Sequence, residues 1–463
     1  MATLSTSLTF TVQKCKPAEL VRPAKPTPHE CKLLSDIDDQ ESFRFQVPVI
    51  QFYRCNPSMQ GKDPARIIRE ALALALVYYY PFAGRLREGP DGKLMVDCTG
   101  EGALFVEADA DVSLEDFGDP LQPPFPCFDE LLAQTPNSQG MLNSPLLIIQ
   151  VTRLKCGGFV FAIRFNHVMS DATSMMQFMF AMAELAQDHH HVPSIFPVWE
   201  RHLLNARDAP RVTFTHHEYD QVAAKDRTNN ITPSANMVHR SFFFGPNEIS
   251  TLRRLLPNHL RKCSRFELLA ACLWRCRTIA IKPDPDEDVR MLIMFNVRSK
   301  INPPLPSGYY GNVVVCPAAI TRARKLWQNP LGYAVNLVKQ TKESVTEEYV
   351  KSVADLMVIK GRPHYPLLNS CAITDLTRAR FDDVDFGWGK ALYGGLASAA
   401  MGVGQASFLN RVKNKKGEEI GIVMPICLPG TAMERFAKEL DSILNEHQVD
   451  KLEHKSVFIS SAL

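Results

Sequence analysis

Apolar and polar positions along the chain repeat with a period of two in some stretches and near 3.6 in others, which predicts a mixture of strands and helices. Runs that alternate or are continuously apolar predict strands at residues 43–53, 146–152, 158–165, 289–297, 312–316 and 419–425. Stretches with helical spacing predict helices at residues 63–79, 173–187 and 268–277. Both element types recur in both halves of the sequence, which is typical of the α/β class.

Two of the predicted helices carry start signals. Asp63 precedes Pro64, the order expected of an N-cap residue and a first-turn proline. Ser264 precedes Glu267 by three residues, which is the spacing of a capping box. We therefore expect one helix to begin at residue 64 and another at residue 265.

The periodic pattern breaks down between residues 189 and 239, where prolines and a polar run at residues 225–230 replace it. We interpret this stretch as a crossover segment that connects two halves of the protein. The predicted division is an N-terminal domain at residues 1–190, a crossover at residues 191–235 and a C-terminal domain at residues 236–463.

Composition and charge narrow the function classes. Of the 463 residues, 45% are hydrophobic and 22% are charged, and a net charge of +2 favours neither nucleic acid nor an anionic membrane as a partner. The twelve cysteines lack a CxxC pair or a zinc-like spacing, which favours reduced thiols and no metal site. No stretch predicts a membrane span. We expect a cytoplasmic protein, with peroxisomal import through Ser461-Ala462-Leu463 as the alternative.

A histidine directly after a predicted buried strand is the first candidate for chemistry. The segment Asn166-His167-Val168-Met169-Ser170-Asp171 places an imidazole at the strand end and a carboxylate four residues later. Histidine has an ordinary pKa of about 6.5, so it can accept a proton near neutral pH. A core histidine bonded to backbone explains the segment equally well. The same spacing joins His216 to Asp220, but no buried strand holds that pair.

A second segment, Asp385-Phe386-Gly387-Trp388-Gly389, brings an aspartate, two aromatic residues and two glycines together. The glycines permit a tight loop, and the indole ring can pack against a core. Taken alone, the segment indicates a turn held by aromatic packing. Taken with HxxxD at residues 167–171, it resembles the BAHD family of coenzyme A-dependent plant acyltransferases.

The resemblance covers nearly the whole chain. Further segments similar to the family are YPFAGRL at residues 80–86, VDCTGEG at 96–102 and GYYGN at 308–312. The stretches LSDIDDQESFRFQVPVIQFY and ADLMVIKGRPH are similar to its branch of benzyl alcohol O-benzoyltransferases and volatile-ester alcohol acyltransferases. The resemblance implies an α/β fold of two domains, each a mixed sheet with flanking helices, and an active-site channel at the domain interface.

The resemblance also implies the reaction and the partners. The substrates would be acyl-coenzyme A, benzoyl or acetyl, and benzyl alcohol or a similar small alcohol, with no permanently bound cofactor. We expect a monomer, because two large domains can enclose the channel unaided.

The family pattern gives each matching residue a role. His167 takes the proton from the acceptor hydroxyl as that oxygen attacks the thioester, and the Thr374 hydroxyl is a candidate donor to the oxyanion. Asp171 and Asp385 belong to the two catalytic motifs, but we interpret both as structural residues. Arg298 is the expected partner of Asp171.

Four more positions are expected to support the site or to contact coenzyme A. Gly387 and Trp388 shape the loop that follows the motif aspartate, and Ser264 and Arg265 open the capping-box helix. Arg265 stands where the family usually has threonine, so it could either meet a phosphate or obstruct the channel.

Other departures leave the substrate open. Ala172 replaces a residue that is usually glycine, a change that the benzoyltransferase branch tolerates. Residues 396–410 differ from the benzoyltransferase pattern, and this difference leaves the acceptor open. Two alternatives therefore remain: an amine N-acyltransferase of the same fold, and a catalytically impaired relative that binds ligands without turnover. A hydrolase is not favoured, since the chain has no GxSxG segment.

Overall fold

The computed structural model describes residues 8–134, 140–190, 192–220, 236–366, 368–398 and 406–459, with side chains described as far as residue 445. Parts of three stretches considered above lie outside the described residues. They are residues 221–235 of the predicted crossover, residues 399–405 of the divergent stretch, and Ser461-Ala462-Leu463.

Strands and helices alternate as the hydrophobic pattern predicts. In the described residues the strands are β1 (Val12–Lys14), β2 (Glu19–Val21), β3 (Cys31–Leu33), β4 (Gln46–Tyr53), β5 (Arg85–Glu88), β6 (Leu94–Asp97), β7 (Ala103–Ala110), β8 (Leu147–Leu154), β9 (Phe159–Asn166), β10 (Met237–Phe244), β11 (Asp288–Asn296), β12 (Val314–Val315), β13 (Ala318–Arg322), β14 (Ser370–Asp375), β15 (Tyr393–Leu396), β16 (Ser407–Lys413) and β17 (Glu419–Pro429). The α-helices are α1 (Pro64–Tyr78), α2 (Phe128–Leu131), α3 (Ala172–Gln187), α4 (Pro246–Arg254), α5 (Arg265–Ile281), α6 (Ala323–Gln328), α7 (Leu331–Glu343), α8 (Glu347–Ile359) and α9 (Gly430–Ile459).

The first sheet has the strand order β1, β7, β8, β9, β4 and β15, and β2 also pairs with β7. β8 and β9 form an antiparallel hairpin, and β4 lies antiparallel to β9 with Gln46 opposite Asn166. Helices α1 and α3 pack against each other beside this sheet, in a core of apolar side chains. Because β9 has a strand on each side, the chain leaves it at a fixed point, directly before His167.

The second sheet has the order β10, β17, β16, β14, β11 and β12, and β13 also pairs with β11. β11 and β14 are parallel, with Met294 opposite Thr374. Helices α5, α7 and α9 cover this sheet and complete a second core. Strands β3, β6 and β5 form a third, small sheet.

The predicted helix starts are confirmed. The Asp63 carboxylate accepts a hydrogen bond from the N–H of Ala65 at 3.2 Å, with Pro64 as the first residue of α1. Ser264 and Glu267 form the reciprocal capping box of α5. Both signals succeed because each depends only on residues within one helical turn.

One predicted strand is shorter than expected. Of residues 312–316, only Val314–Val315 pairs as β12. The N–H groups of Asn312 and Val313 donate to the carboxylates of Asp38 and Asp171, at 2.7 and 3.0 Å. These two residues therefore join the surroundings of the HxxxD segment and not the sheet.

One strand crosses between the two halves of the sequence. β15 pairs antiparallel with β4, with Gly395 opposite Ile50, so the first sheet includes a strand from the second half. The mixed α/β architecture with two major sheets is as predicted, whereas the residue boundaries of the two domains stay a prediction. Among the described helices, none combines the length and apolarity needed to cross a membrane.

Candidate active site

A cavity of about 650 Å³ is lined by both halves of the chain. The first half contributes His167, the start of α3 and side chains from β4 and β9. The second half contributes the start of α5, residues of β11 and β14, and the segment after β14. Much of the wall is apolar; its aromatic members are Phe43, Phe45, Phe165, Phe266, Phe295, Tyr365 and Phe381.

His167 lies in the cavity wall at the start of a short 3-10 turn, His167–Met169, that follows β9. The backbone N–H of His167 donates to the carbonyl oxygen of Phe45 at 2.9 Å, and this bond connects the turn to the chain just before β4. The Phe43 ring stacks on the imidazole with a centroid distance of 4.7 Å, and the Phe45 ring meets it edge-on at 5.2 Å. The ring is therefore held in one orientation by its neighbours.

The amide of Asn312 determines which ring nitrogen of His167 carries the proton. Its Nδ2 donates to Asp38 Oδ1 at 3.0 Å and to the His167 carbonyl oxygen at 2.8 Å, and both of those atoms are acceptors only. The amide oxygen must then face His167 Nδ1, at 3.1 Å, and accept its hydrogen. Nε2 is left with a free lone pair, as a proton-accepting base requires.

Burial lowers the pKa of His167 below its ordinary value. Hydrogen bonds to the ring and the charges of Asp171 and Asp38 oppose that effect and only partly cancel it. The imidazole is therefore neutral at neutral pH, in the form that accepts a proton.

Asp171 is buried and serves as the N-cap of α3, where it accepts a hydrogen bond from the N–H of Ser174 at 2.9 Å. Arg298 binds both of its oxygens, at 2.7 and 3.0 Å, so the expected ion pair is present. Burial alone would raise the pKa of Asp171, but Arg298 and the backbone donors lower it on balance. These contacts join α3 to the segment after β11.

Asp385 organises its own loop. One carboxylate oxygen accepts hydrogen bonds from the N–H groups of Gly387 and Gly389, at 2.7 and 2.8 Å. Both glycines have positive φ, +107° and +90°, which other residues adopt at a cost. Gln187, the last residue of α3, donates to the Asp385 carbonyl oxygen at 2.7 Å. Asp385 is not one of the residues that line the cavity.

The aromatic residues of this loop pack on the first sheet. Phe386 is fully buried beside Tyr53 and Phe161, and Trp388 meets Phe159 edge-on with a centroid distance of 5.3 Å. The Tyr53 hydroxyl also donates to the carbonyl oxygen of Val384 at 3.1 Å. The DFGWG loop thus attaches the second half of the chain to β4 and β9.

The remaining predicted residues are divided between the cavity and the surface. Thr374 and Ser264 line the cavity, the latter also capping α5. Arg265 is 55% exposed, lies 3.7 Å from Glu419, and is not among the lining residues. It therefore does not obstruct the cavity. The cation that does line this part of the wall is Lys342, which the sequence patterns did not single out.

The second HxxxD segment lies elsewhere. His216 is buried and bonds to Glu218 at 2.9 Å and to the Ser352 hydroxyl of α8 at 2.8 Å, away from the cavity lining. Ser352 is itself fully buried and accepts the N–H groups of Thr213 and Phe214. This network fastens the segment before residue 221 to α8. In the described residues, no group of three or more histidine, cysteine or acidic side chains could hold a metal ion.

The sequence profile of the Transferase family matches residues 11–443. The chain belongs to this family. It is the family that the HxxxD and DFGWG segments resemble, and the recognition is therefore confirmed.

Relatives within this family are similar over almost the full length. Benzyl alcohol O-benzoyltransferase from Nicotiana tabacum is 63% identical over 442 residues, covering 95% of each chain. The protein of that name from Petunia hybrida is 62% identical over 462 residues, covering 99% of each chain. A 13-hydroxylupanine O-tigloyltransferase from Lupinus albus is 56% identical over 449 residues, covering 96% of this chain and 97% of the relative.

Solved structures show the same fold. Vinorine synthase aligns with a TM-score of 0.71 at 21% identity, over 94% of this chain and 98% of the other. F. graminearum TRI101, complexed with coenzyme A and deoxynivalenol, aligns with a TM-score of 0.67 at 13% identity, over 88% of this chain and 96% of the other. The two-domain α/β fold of this transferase is thereby confirmed.

Sequence reasoning missed the residues that surround His167 in space. Asn312 stands in the GYYGN segment and Asp38 in LSDIDDQ, both noted only as similar to the family. Their separation along the chain hides the contact that the fold creates between them. Nothing in either segment singles these two residues out, since Asp38 is one of three aspartates in LSDIDDQ.

Proposed function

We propose that this transferase is an acyl-CoA-dependent alcohol O-acyltransferase that forms esters, with acyl-coenzyme A as co-substrate. The observation that carries the proposal is His167, neutral in the wall of a largely apolar cavity, with Nε2 free to accept a proton. The names of the relatives, at 62% and 63% identity, support the same reaction.

The proposed mechanism begins with His167 Nε2. It takes the proton of the acceptor hydroxyl while that oxygen attacks the thioester carbonyl, and a tetrahedral oxyanion forms. The hydroxyl of Thr374, which lines the same cavity, is the proposed donor to that oxyanion. Coenzyme A then leaves as a thiolate and recovers the proton from His167.

A covalent acyl-enzyme is not part of this proposal. Among the described residues that line the cavity, the one cysteine is Cys316, and burial raises the pKa of its thiol far above the ordinary value. A thiol that stays protonated is a weak nucleophile. Direct attack by the alcohol is therefore favoured over acylation of the protein.

The wall suggests the substrate class. Aromatic side chains such as Phe43, Phe45, Phe165 and Phe381 suit a benzoyl group or a benzyl alcohol, because flat rings pack well against other rings. We therefore propose benzoyl-CoA with benzyl alcohol as the first pair to test, and acetyl-CoA as the second donor. The tigloyltransferase relative, at 56% identity, makes a branched aliphatic acyl group a third choice.

Coenzyme A is proposed to reach the cavity beside the start of α5. Ser264 and Lys342 line the cavity there, and Lys342 pairs with the capping-box residue Glu267 at 2.5 Å. Arg265, outside the lining, is left as a residue that could meet a phosphate at the surface.

The alternatives are less well supported. The relatives with high identity carry names of alcohol acyltransferases, which does not favour an amine acceptor. The hypothesis of a catalytically impaired relative depended on Arg265 obstructing the channel, but the Arg265 side chain does not line the cavity. A monomer in the cytoplasm remains our expectation.

The test is thiol release by the purified protein with benzoyl-CoA and acetyl-CoA against a panel of alcohols and amines. His167→Ala is expected to lower alcohol-dependent release about 10²–10⁴-fold while remaining folded. His217→Ala, which removes an exposed histidine of the second HxxxD segment, is the matched control and should release thiol at the native rate. Release that depends on amines alone, or that survives in folded His167→Ala, would contradict the proposal.

A further inference from the structure

A fully buried ion pair lies behind the imidazole of His167. Arg201 Nη1 and Asp38 Oδ2 are 2.8 Å apart, and their side chains are 1% and 0% exposed. Arg201 belongs to a short turn within the predicted crossover, and its guanidinium lies 4.2 Å from the centre of the Trp199 ring. Burial of two charges costs several kcal/mol per ion before their attraction is counted, so the pair is not an obvious source of stability.

Asp38 collects an unusual number of donors. Its Oδ2 faces Arg201 and accepts the N–H and the hydroxyl of Ser35, at 3.0 and 2.5 Å. Its Oδ1 accepts both the N–H and the side-chain Nδ2 of Asn312, at 2.7 and 3.0 Å. Only an ionised carboxylate, which has acceptor sites on both oxygens and no hydrogen, satisfies all of these donors at once.

We propose that Asp38 and Arg201 are positioning residues for the acyl-transfer reaction, acting through the Asn312 amide to keep the proton of His167 on Nδ1. The inference rests on the proposed function, in which His167 Nε2 is the base. Asp38 and Asn312 do not contact the cavity, and neither does Arg201. Their effect reaches the substrates only through the state of the imidazole.

Arg201 has two parts in this arrangement. Its charge lies 2.8 Å from the Asp38 carboxylate, and its Nη2 donates to the carbonyl oxygen of Met169 at 2.8 Å. Met169 ends the turn that begins with His167. The same guanidinium therefore fixes both the carboxylate behind the ring and the backbone that bears the ring.

Replacement of the Asp38 carboxylate by an amide should move the His167 ring proton from Nδ1 to Nε2. In Asp38→Asn, an NH₂ group must face either Arg201 or Asn312, and both of those present donors. Turning the Asn312 side chain over separates the two amide NH₂ groups, at the cost of its hydrogen bond to the His167 carbonyl oxygen, and brings its own NH₂ to His167 Nδ1. The imidazole proton then moves to Nε2, and the base is lost.

The experiment compares Asp38→Asn with Asp36→Asn. Asp36 lies in the same segment, pairs with Lys93 at 2.6 Å and accepts the N–H of Ala206, but it does not contact Asn312. We expect kcat of Asp38→Asn to fall about 10²–10⁴-fold with the KM values of both substrates within about threefold of native. Asp36→Asn should keep kcat within about threefold, since its contacts only anchor the chain.

A ¹⁵N NMR spectrum of histidine-labelled protein reads the tautomer directly, with His167→Gln to assign the signal. Native His167 is expected to carry its proton on Nδ1, and Asp38→Asn to carry it on Nε2. A native Nε2–H tautomer would overturn the proposal, even if Asp38→Asn did not fold. The proposal would also be overturned if folded Asp38→Asn kept the native tautomer and the native kcat. An equal loss of kcat in Asp36→Asn would overturn it as well.

The spectrum needs no turnover, which separates the two proposals. A native protein with the Nδ1–H tautomer but without thiol release would contradict the proposed function and leave the hydrogen-bond arrangement standing. A native protein that releases thiol with the opposite tautomer would contradict only the arrangement.

Discussion

The imidazole of His167 is stacked on the Phe43 ring and meets the Phe45 ring edge-on, and its pKa follows from that position. A ring stacked at 4.7 Å excludes water from one face and disfavours the charged form. A base acts in its neutral form, so a lowered pKa keeps it active below pH 6.5, the ordinary value for histidine being about 6.5. The midpoint of the acid limb in the pH profile of kcat/KM should therefore lie below pH 6.5, the ordinary value of about 6.5 being lowered by burial.

Phe43→Ala should move this limb in the opposite direction. Loss of the stacked ring admits water, the cost of charging the imidazole drops, and the pKa of His167 rises toward its ordinary value. We expect the acid limb of kcat/KM to shift to higher pH, measured by thiol release between pH 5 and 9.

Phe43→Leu is the control for this change, because it keeps apolar volume over the ring. Its limb should lie closer to the native position. Equal limbs in the native protein and Phe43→Ala would show that the stacked ring does not set the pKa.

At this scale the sequence predicted the residues that are close together in the chain. His167 and Asp171 are four residues apart, the first at the start of a 3-10 turn and the second at the N-cap of the helix that follows it. Asn312 lies 145 residues beyond His167, and nothing in its local pattern distinguishes it from a strand residue. Arg265 was expected to meet a phosphate or to obstruct the channel because it stands where the family usually has threonine, yet its side chain lies near Glu419 and outside the cavity lining.

Among the elements, the DFGWG loop connects the end of α3 to the first sheet. Asp385→Ala removes the acceptor of two backbone N–H groups, which should destabilise the protein by about 1–3 kcal/mol. Asp385→Asn keeps one oxygen that can accept them and should lose less. Urea unfolding measures both variants, beside thiol release per folded molecule.

We expect the rate in both Asp385 variants to fall along with stability, since the carboxylate does not line the cavity. A stable, fully folded Asp385→Asn that is inactive would indicate a direct part in catalysis and would contradict the structural interpretation.

The elements themselves were largely predictable, and the exception has a physical reason. Helix starts and hairpins depend on neighbours within a few residues, so α1, α5 and the β8–β9 pair were found close to their true bounds. The strand expected at residues 312–316 was shortened because two of its N–H groups are bound by carboxylates distant in the chain. No local pattern reports such partners.

For the whole molecule, the pairing of β15, a strand from the second half of the sequence, with β4 in the first sheet should make the two halves unfold together. The first core contains Trp388 and the second contains Trp274, so each core has its own fluorescent reporter. Two otherwise native variants, each of which retains only one of the chain's four tryptophans (Trp388 or Trp274), should show the same urea midpoint.

Gly394→Ala is expected to weaken that coupling. A Cβ at this position would lie 2.4 Å from the backbone nitrogen of Asp382 and the backbone carbon of Phe381, so β15 must move away from its place. The cost should be about 1–3 kcal/mol, and the two tryptophan midpoints should separate. Coincident midpoints and unchanged stability would show that the strand does not join the halves.

The pattern of the sequence predicted two halves and the crossover but not the pairing of β15 with β4. β15 is four residues long, and residues 393–396 (YGGL) lack the alternation that marks a strand. It forms because β4 offers an open edge after β9 has taken the other side. An edge of this kind is a property of the assembled sheet.

The position of β15 also bears on how the gene could be divided. A break between residues 220 and 236 would leave Arg201 and most of the first sheet on one polypeptide, while the other would retain β15. Each polypeptide would then hold a piece that completes its counterpart, an unpaired edge on one and the matching strand on the other. Two such fragments produced in one cell should find each other and reconstitute the enzyme, a basis for a split reporter of ester synthesis.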